Sequence, residues 1–390
     1  MQIVLFDPKF RDSLLPLTFT KSVAKLRVGG FCIDQKWEKA LGLLVKILTQ
    51  DYLQCLYDSK NIEGNILYIN AAVCPNEILA EELNSISFTK AIFSNDILIG
   101  FKSSENLSLE QIHNLTFDIK VQTKSDVSII QNPWDLFKLA GKEIAEDISR
   151  FDLDKQSENN LTKQNIVFGN QLFSHPSAKA KGCIFNTESG PIYLGEDTEV
   201  MEGSIIRGPF FLGEHSAVKL GAKIYGPTVI GPHCKVGGEI SNSVLQGYSN
   251  KGHDGFMGNS VLGEWCNLGA DTNTSNLKNN YSKVSVYSYA TKSMENTGEQ
   301  FCGVIMGDHS KTGINTMLNT GSVVGVSSNI FGGDFPPKFI PSFYWGGKTG
   351  ETFKLEKAFE VAEKMMARRN VSLTENDRQI LSHIFHLEQQ

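Results

Sequence analysis

Residues 194–236, LGEDTEVMEGSIIRGPFFLGEHSAVKLGAKIYGPTVIGPHCKV, place Leu194, Val200, Ile206, Leu212, Val218, Ile224, Ile230 and Val236 at a strict spacing of six. A period of six matches neither the 3.6 of an amphipathic helix nor the simple alternation of a strand. It suits a chain that lays down one short strand and one corner per hexad. Three hexads close a triangular coil, with every sixth side chain pointing into the prism. Gly195, Gly213, Gly231 and Gly237 each follow an inward residue and relieve crowding at the corners. The stretch predicts a parallel β-helix.

The period restarts at Leu262 and Leu268, and again at Met306, Thr312, Leu318, Val324 and Ile330, each time out of phase. The steps from Val236 to Leu262 (262 − 236 = 26) and from Leu262 to Met306 (306 − 262 = 44) both hold two residues beyond whole hexads. Solenoids carry their variable chemistry on looped segments, so 237–261 and 273–304 are expected to be insertions that carry function.

A chain of 390 residues can bury two cores, and a net charge of −6 offers no basic field for nucleic acid or an anionic membrane surface. The seven cysteines are scattered and form no C-x-x-C pair, which argues against a disulfide framework and a thiolate metal site. No basic segment precedes a long apolar run, and no stretch approaches the ~18 apolar residues of a membrane helix. The expectation is a cytoplasmic protein without membrane insertion.

Ahead of the repeat, 2–6 and 65–70 read as buried strands, and Trp37, Leu41, Leu44 and Leu48 share one face of a predicted helix. A second helix is expected over 75–84, and a third after Pro133 with Leu136, Leu139, Ala140, Ile144 and Ile148 on one face. This alternation predicts an α/β layer. The run Leu15-Pro16-Leu17-Thr18 through Val28-Gly29-Gly30 resembles the opening of sugar nucleotidyltransferases, where P-L-T and V-G-G bracket a nucleotide and sugar-phosphate site. Here the glycine-rich phosphate loop is missing from 6–13, Ser22-Val23 replaces the family's Pro-Lys, and Ala72 falls near its metal-holding aspartate. The domain therefore reads as a degenerate member, needing Mg2+ only if active. Arg11, Lys21, Lys25 and Arg27 are either phosphate contacts or ordinary solvated charges.

The stretch 249–256, SNKGHDGF, sets a glycine-flanked histidine, His253, one coil before Asn267 and Gly269-Ala270. The order K-G-H (251–253), V-L-G-E-x-x-N-L-G-A (261–270), T-x-T-x-N (272–276) and K-T-G-I-N (311–315) resembles the acetyltransferase half of bifunctional glucosamine-1-phosphate N-acetyltransferase/N-acetylglucosamine-1-phosphate uridylyltransferases. The resemblance covers about 175–346. It implies a left-handed β-helix and a homotrimer with acetyl-CoA bound between neighbouring prisms. It places His253 on the general base, Asn267 and Asn276 on the acceptor, and Ala270 on the acyl donor. Lys283 or Lys278, with Lys251, is a candidate for the acceptor sugar phosphate and Lys311 for the CoA phosphates, and each reads equally as a plain surface lysine. An imidazole with an unperturbed pKa near ~6.5 can take the proton of an attacking amine, and the Gly269-Ala270 amides can receive an oxyanion. Phe256 and Asp271 stand where the family has Tyr and Gly. His215, His233, His253 and His309 share no ligand spacing, so no metal site is expected.

The expected organisation is a sugar nucleotidyltransferase-like α/β domain (1–150), a linker (151–174), the β-helix (175–346) and C-terminal helices (347–390). Leu355, Phe359, Ala362 and Met366 recur at helical spacing, and Thr374 caps a final helix. Arg368-Arg369 reads as a solvated helix end that could reach CoA phosphates. The leading reading is an acetyl-CoA-dependent N-acetyltransferase of an amino-sugar phosphate in UDP-N-acetylglucosamine synthesis. The alternatives are a bifunctional enzyme that also transfers uridylate and a non-catalytic trimer that senses sugar nucleotides.

Overall fold

The computed structural model describes residues 1–58, 62–155, 157 and 160–388; three residues of the expected linker, 156, 158 and 159, lie outside that set. From Ile166 the chain winds into a parallel β-solenoid with three sheets. The first runs in nine strands from Leu172–Ser174 to Phe339–Ile340, and the second in eight from Ile166–Phe168 to Met317–Leu318. The third runs from Lys179–Ala180 to Asn250–Lys251 and resumes at Lys311–Thr312, with single bridges at Asn267 between. All eight hexad residues from Leu194 to Val236 are buried in one axial core. Leu194, Leu212 and Ile230 stack at successive coils, as the three-hexad reading requires. The coil starts before residue 175, because Ile166–Phe168 and Leu172–Ser174 already pair with the next turn.

The first phase break is a contraction, not an insertion. Ile230 pairs with Leu245 and Leu245 with Leu262, so two successive coils take 15 and 17 residues (245 − 230, 262 − 245) where the regular coil takes 18 (230 − 212). His253 therefore sits at a corner of the prism, not on a loop beside it. The second break is a true insertion. Ser285–Ser288 and Ser293–Asn296 form an antiparallel hairpin whose base packs onto the first domain. Tyr289, in the turn at its tip, meets the Phe19 ring edge-on at 5.0 Å, and Lys138 pairs with Glu299 beyond its base. That segment is a strap between domains.

The first domain is a six-stranded mixed sheet in the order 45–48, 2–6, 66–70, 97–103, 90–94, 119–122. The helix expected through Leu48 stops at Leu41, because Gly42 turns into the left-handed region (φ 66°). Val45–Leu48 is a strand beside Gln2–Phe6, and Leu44 is exposed. The helices Glu77–Ser85, Leu355–Ala367 and Glu375–Leu387 form as expected, the last with a Thr374–Asp377 capping box. The helix Asp135–Arg150 buries one face against the first domain and lies over the solenoid, where a Cβ on Gly141 would stand 3.0 Å from Pro227. Among the described residues no helix is long and apolar enough to cross a membrane.

Charged groups lock the domains together. The Lys21 ammonium lies 2.9 Å from both Glu264 and Asp308 of the solenoid. Beside this cluster His309 is buried, and its pKa is lowered to about 3, first by desolvation and then by Lys311 and Lys21, with Glu264 opposing. A neutral His309 in the fold and a protonatable one in the unfolded chain mean that unfolding takes up a proton below about 6.5. Its contribution to stability is complete above that pH and declines as pH falls toward about 3. His309→Phe should therefore lose less thermal stability than the unmodified protein between pH 7 and pH 5 in calorimetry; parallel pH slopes would refute a buried neutral imidazole.

Candidate functional site

The contracted coils shape one outer face of the prism. Asn250 and Asn267 lie side by side on the third sheet, followed by Lys311. His253 occupies the next corner, and Ala270 the same corner one coil on. His253, Asn250, Asn267, Gly269 and Ala270 bound a cleft of about 440 Å3 together with Lys219, Lys235 and the end of the helix Leu355–Ala367. The His253 imidazole is exposed, and neither it nor the side-chain amide of Asn267 makes a hydrogen bond among the described residues, although the Asn267 backbone N–H donates to the Ser310 carbonyl. The Oδ1 of Asn250 is buried and unpartnered.

The two backbone amides of the small-residue turn differ. Gly269 N–H donates to Thr312 O and Oγ1, at 3.1 and 3.0 Å. The Ala270 N–H has no acceptor among the described residues, although its carbonyl accepts from Asn315 N–H. Only Ala270 can offer a donor to a ligand. Asp271 takes a left-handed φ of 54°, which glycine adopts freely and Asp tolerates, and its carboxylate accepts from Asn273. The substitution of Asp for the family's Gly is thus a turn solution.

Four cations rim the cleft: Lys219, Lys235, Arg368 and Arg369. Lys235 is held below its usual value by desolvation, then by Arg369, Lys219 and Arg368, as expected where like charges converge. The arginines follow the helix end, and Arg369 also reaches the His233 carbonyl at 3.5 Å. Sequence reading treated this pair as a solvated helix end and overlooked both lysines. Their signal was their position, flanking the inward residues Val218 and Val236 on one face. Beside the cleft His215, His233, Tyr248 and Trp265 form a stacked column with ring centroids 4.2–4.8 Å apart. All four take positive φ at one corner, so coil-to-coil registry aligns them.

The remaining expected residues lie elsewhere. Lys251 is buried inside the prism, 1% exposed, and cannot touch a substrate in the cleft; this corrects its assignment as a substrate-binding residue. Lys311 stands beside Asn267, but its ammonium donates to the His309 carbonyl, and burial lowers it to about 8. Asn276 faces the neighbouring side of the prism, donating to Asn259 Oδ1 at 2.8 Å and crowding with Phe256 over Gly258. Lys283 is exposed on the strap, where its carbonyl accepts from Lys278. Within one chain, neither Asn276 nor Lys283 reaches the cleft.

In the first domain, the residues that resemble a nucleotide site are engaged in packing. Arg11 bonds the Thr18 carbonyl and Tyr52, Lys21 joins the solenoid carboxylates, and Arg27 bonds Gln246 and Gly30. A side chain on Gly30 would strike the Phe211 ring, and one on Gly29, at φ 71°, would strike Asp147. The V-G-G turn thus serves domain packing. Ala72 is fully buried and offers no oxygen ligand, so the chain does not fit a magnesium ion at the position the resemblance implies.

The fold defines a class of architecture: a nucleotidyltransferase-like α/β domain joined to a hexapeptide-type β-solenoid. Residues 3–156 match the family described as sugar nucleotidyl transferase. The chain is similar to the bifunctional sugar-1-phosphate nucleotidylyltransferase/acetyltransferase of Sulfurisphaera tokodaii, with 29% identity over 207 residues, 52% of this chain and 44% of that protein. It is also similar to the bifunctional protein GlmU of Methanocaldococcus jannaschii, 36% identical over 87 residues, 22% of this chain and 21% of that one. The chain spans less than half the length of these curated relatives. Solved structures with partial likeness are an Arabidopsis UDP-N-acetylglucosamine acyltransferase (15% identity, TM-score 0.29, 55% of this chain and 86% of that one) and a mutant of the Bacillus cereus N-acyltransferase AntD in complex with dTDP and coenzyme A (14%, TM-score 0.23, 54% and 97%).

The cation rim makes a direct prediction. Replacing Arg368 and Arg369 together by Gln should weaken binding of inorganic pyrophosphate ~10-fold, as expected for the loss of charge-assisted hydrogen bonds. Titration calorimetry reads it, and an unchanged affinity would move the anion site away from this cleft.

Proposed function

We propose that this chain is an acetyl-CoA-dependent N-acetyltransferase of an amino-sugar phosphate of the glucosamine-1-phosphate kind, working as a homotrimer in UDP-N-acetylglucosamine synthesis. The observation that carries this reading is the convergence, on one cation-rimmed cleft, of His253, Asn267 and the unpaired Ala270 N–H. The similarity to bifunctional nucleotidylyltransferase/acetyltransferases supports the same chemistry.

In this mechanism the amine nitrogen of the sugar attacks the thioester carbonyl carbon, and His253 takes the proton that nitrogen loses. The carbonyl oxygen gains charge and is met by the Ala270 N–H, a contribution of about 3 kcal/mol for one well-placed donor. Asn267 orients the acceptor. The intermediate collapses by breaking the carbon–sulfur bond, and the proton on His253 passes to the departing CoA thiolate. Lys219, Lys235, Arg368 and Arg369 hold the phosphates of the donor. The first domain serves as a packed scaffold, since its phosphate-binding candidates are already paired.

The faces of the prism support the trimer. One sheet is covered by the first domain, through Tyr193, Phe211, Val229, Val244, Val261, Ile305 and Val323. The third sheet carries the cleft. The second leaves Ile166 (56% exposed), Phe168, Ile205 and Tyr225 uncovered, on the side where Asn276 also lies. A second prism seated there would bring its Asn276 and Lys283 toward the His253 corner of its neighbour.

Two results are expected. His253→Ala should keep its assembly and its affinity for acetyl-CoA while turnover of glucosamine 1-phosphate falls ~100-fold or more, the usual worth of a positioned base; undiminished turnover would make the histidine structural. Ile205→Glu with Tyr225→Glu should convert trimers to monomers in sedimentation analysis and abolish turnover. A monomer that stays fully active would remove the intersubunit site.

A further inference from the structure

The inward column of the third sheet runs through Ala180, Val200, Val218, Val236, Lys251, Leu268, Thr312 and Ile330, and every member but Lys251 is apolar or small. Lys251, between Val236 and Leu268, is 1% exposed. Packing alone gives no reason for a lysine there, since an aliphatic side chain would fill the column without desolvating an ammonium. Its three N–H donors are all used. They point at the carbonyl oxygens of Gly237 (3.2 Å), His253 (2.5 Å) and Asp254 (3.1 Å). Two of these carbonyls belong to the turn that carries His253, and the His253 carbonyl has no other donor among the described residues. The turn continues through Gly255, at φ 110°, where any Cβ would collide with the Thr272 carbonyl.

We propose that Lys251 is a positioning residue for His253, holding the His253–Asp254 turn from inside the prism so that the imidazole stands over the cleft. Desolvation lowers the ammonium to about 8 while Asp254 and Asp271 raise it, so it is largely charged at neutral pH and its hydrogen bonds are of the stronger, charge-assisted kind. A lysine that served only the stability of the coil would also use its three donors, but its removal would act on unfolding and not on the histidine.

The inference rests on His253 being the general base, and a double-mutant cycle separates the two claims. Lys251→Met retains length and volume in an apolar column. With acetyl-CoA and glucosamine 1-phosphate, its kcat should fall ~10-fold while KM for acetyl-CoA changes less than ~2-fold, the pattern of a group acting on the transition state alone. Lys251→Met combined with His253→Ala should be no slower than His253→Ala, because a clamp has nothing to position once the imidazole is gone. Losses that add in the double variant, or a Lys251→Met protein with unchanged kcat, overturn the proposal. Full turnover by His253→Ala alone overturns the general-base reading itself, whatever Lys251→Met does. If Lys251→Met does not fold, Lys251→Gln, which keeps an amide donor at a similar depth, goes through the same cycle with the same deciding outcomes.

Discussion

Everything in this molecule is hung on the requirement that one side chain in six meet its coil neighbours at the prism axis. Burying a column of Leu, Ile and Val removes the apolar surface from water and fixes the register between coils, because a slip by one residue would turn the column outward. Once register is set, equivalent corners stack. That is why His215, His233, Tyr248 and Trp265, far apart in sequence, form one aromatic column. It also makes a small change in coil length matter. Beside the coils of 15 and 17 residues the third sheet thins to single bridges at Asn267, and the Ala270 N–H, without an acceptor among the described residues, stands at the corner that follows.

A triangular prism has three faces, and this chain gives each a different task. One is buried beneath the N-terminal α/β domain, one carries the cation-rimmed cleft, and one stays open with an apolar strip. The first assignment explains the state of the N-terminal domain. Lys21 sits between two carboxylates of the solenoid, Arg27 on Gln246, and Gly30 against Phe211. Buried ion pairs of this kind add little net stability, yet removing one partner strands the other at a cost of about 3–5 kcal/mol. Residues that resemble phosphate contacts are thereby committed to holding the two domains in one arrangement, and the strap, through Val284, Val286 and Cys302, packs into the same joint.

Much of this was legible in the chain itself. The six-residue period determined the solenoid, the axial core and its coil length, since no other regular structure repeats at six. The capping box at Thr374 and the spacing of Leu355 to Met366 determined the last two helices. His253, Asn267 and Ala270 were legible as a group because residues about one coil apart share an edge. Local patterns misled where backbone geometry overrode them: Gly42 ended a helix that the spacing of Leu44 and Leu48 extended, and Thr272 to Asn276 carried Asn276 around a corner, away from His253.

What the tertiary structure alone decided were the quantities that depend on which way a side chain faces and what packs beside it. Alternation along a strand gives Lys235 and Lys251 opposite fates although both precede or occupy the same column, one rimming a cleft and the other sealed in the prism. The sequence determined that a histidine would stand at a corner of a coil. Only the packing of a distant helix across the third sheet brought Arg368 and Arg369 over it, because contacts between residues more than a hundred positions apart leave no period in the chain to be read.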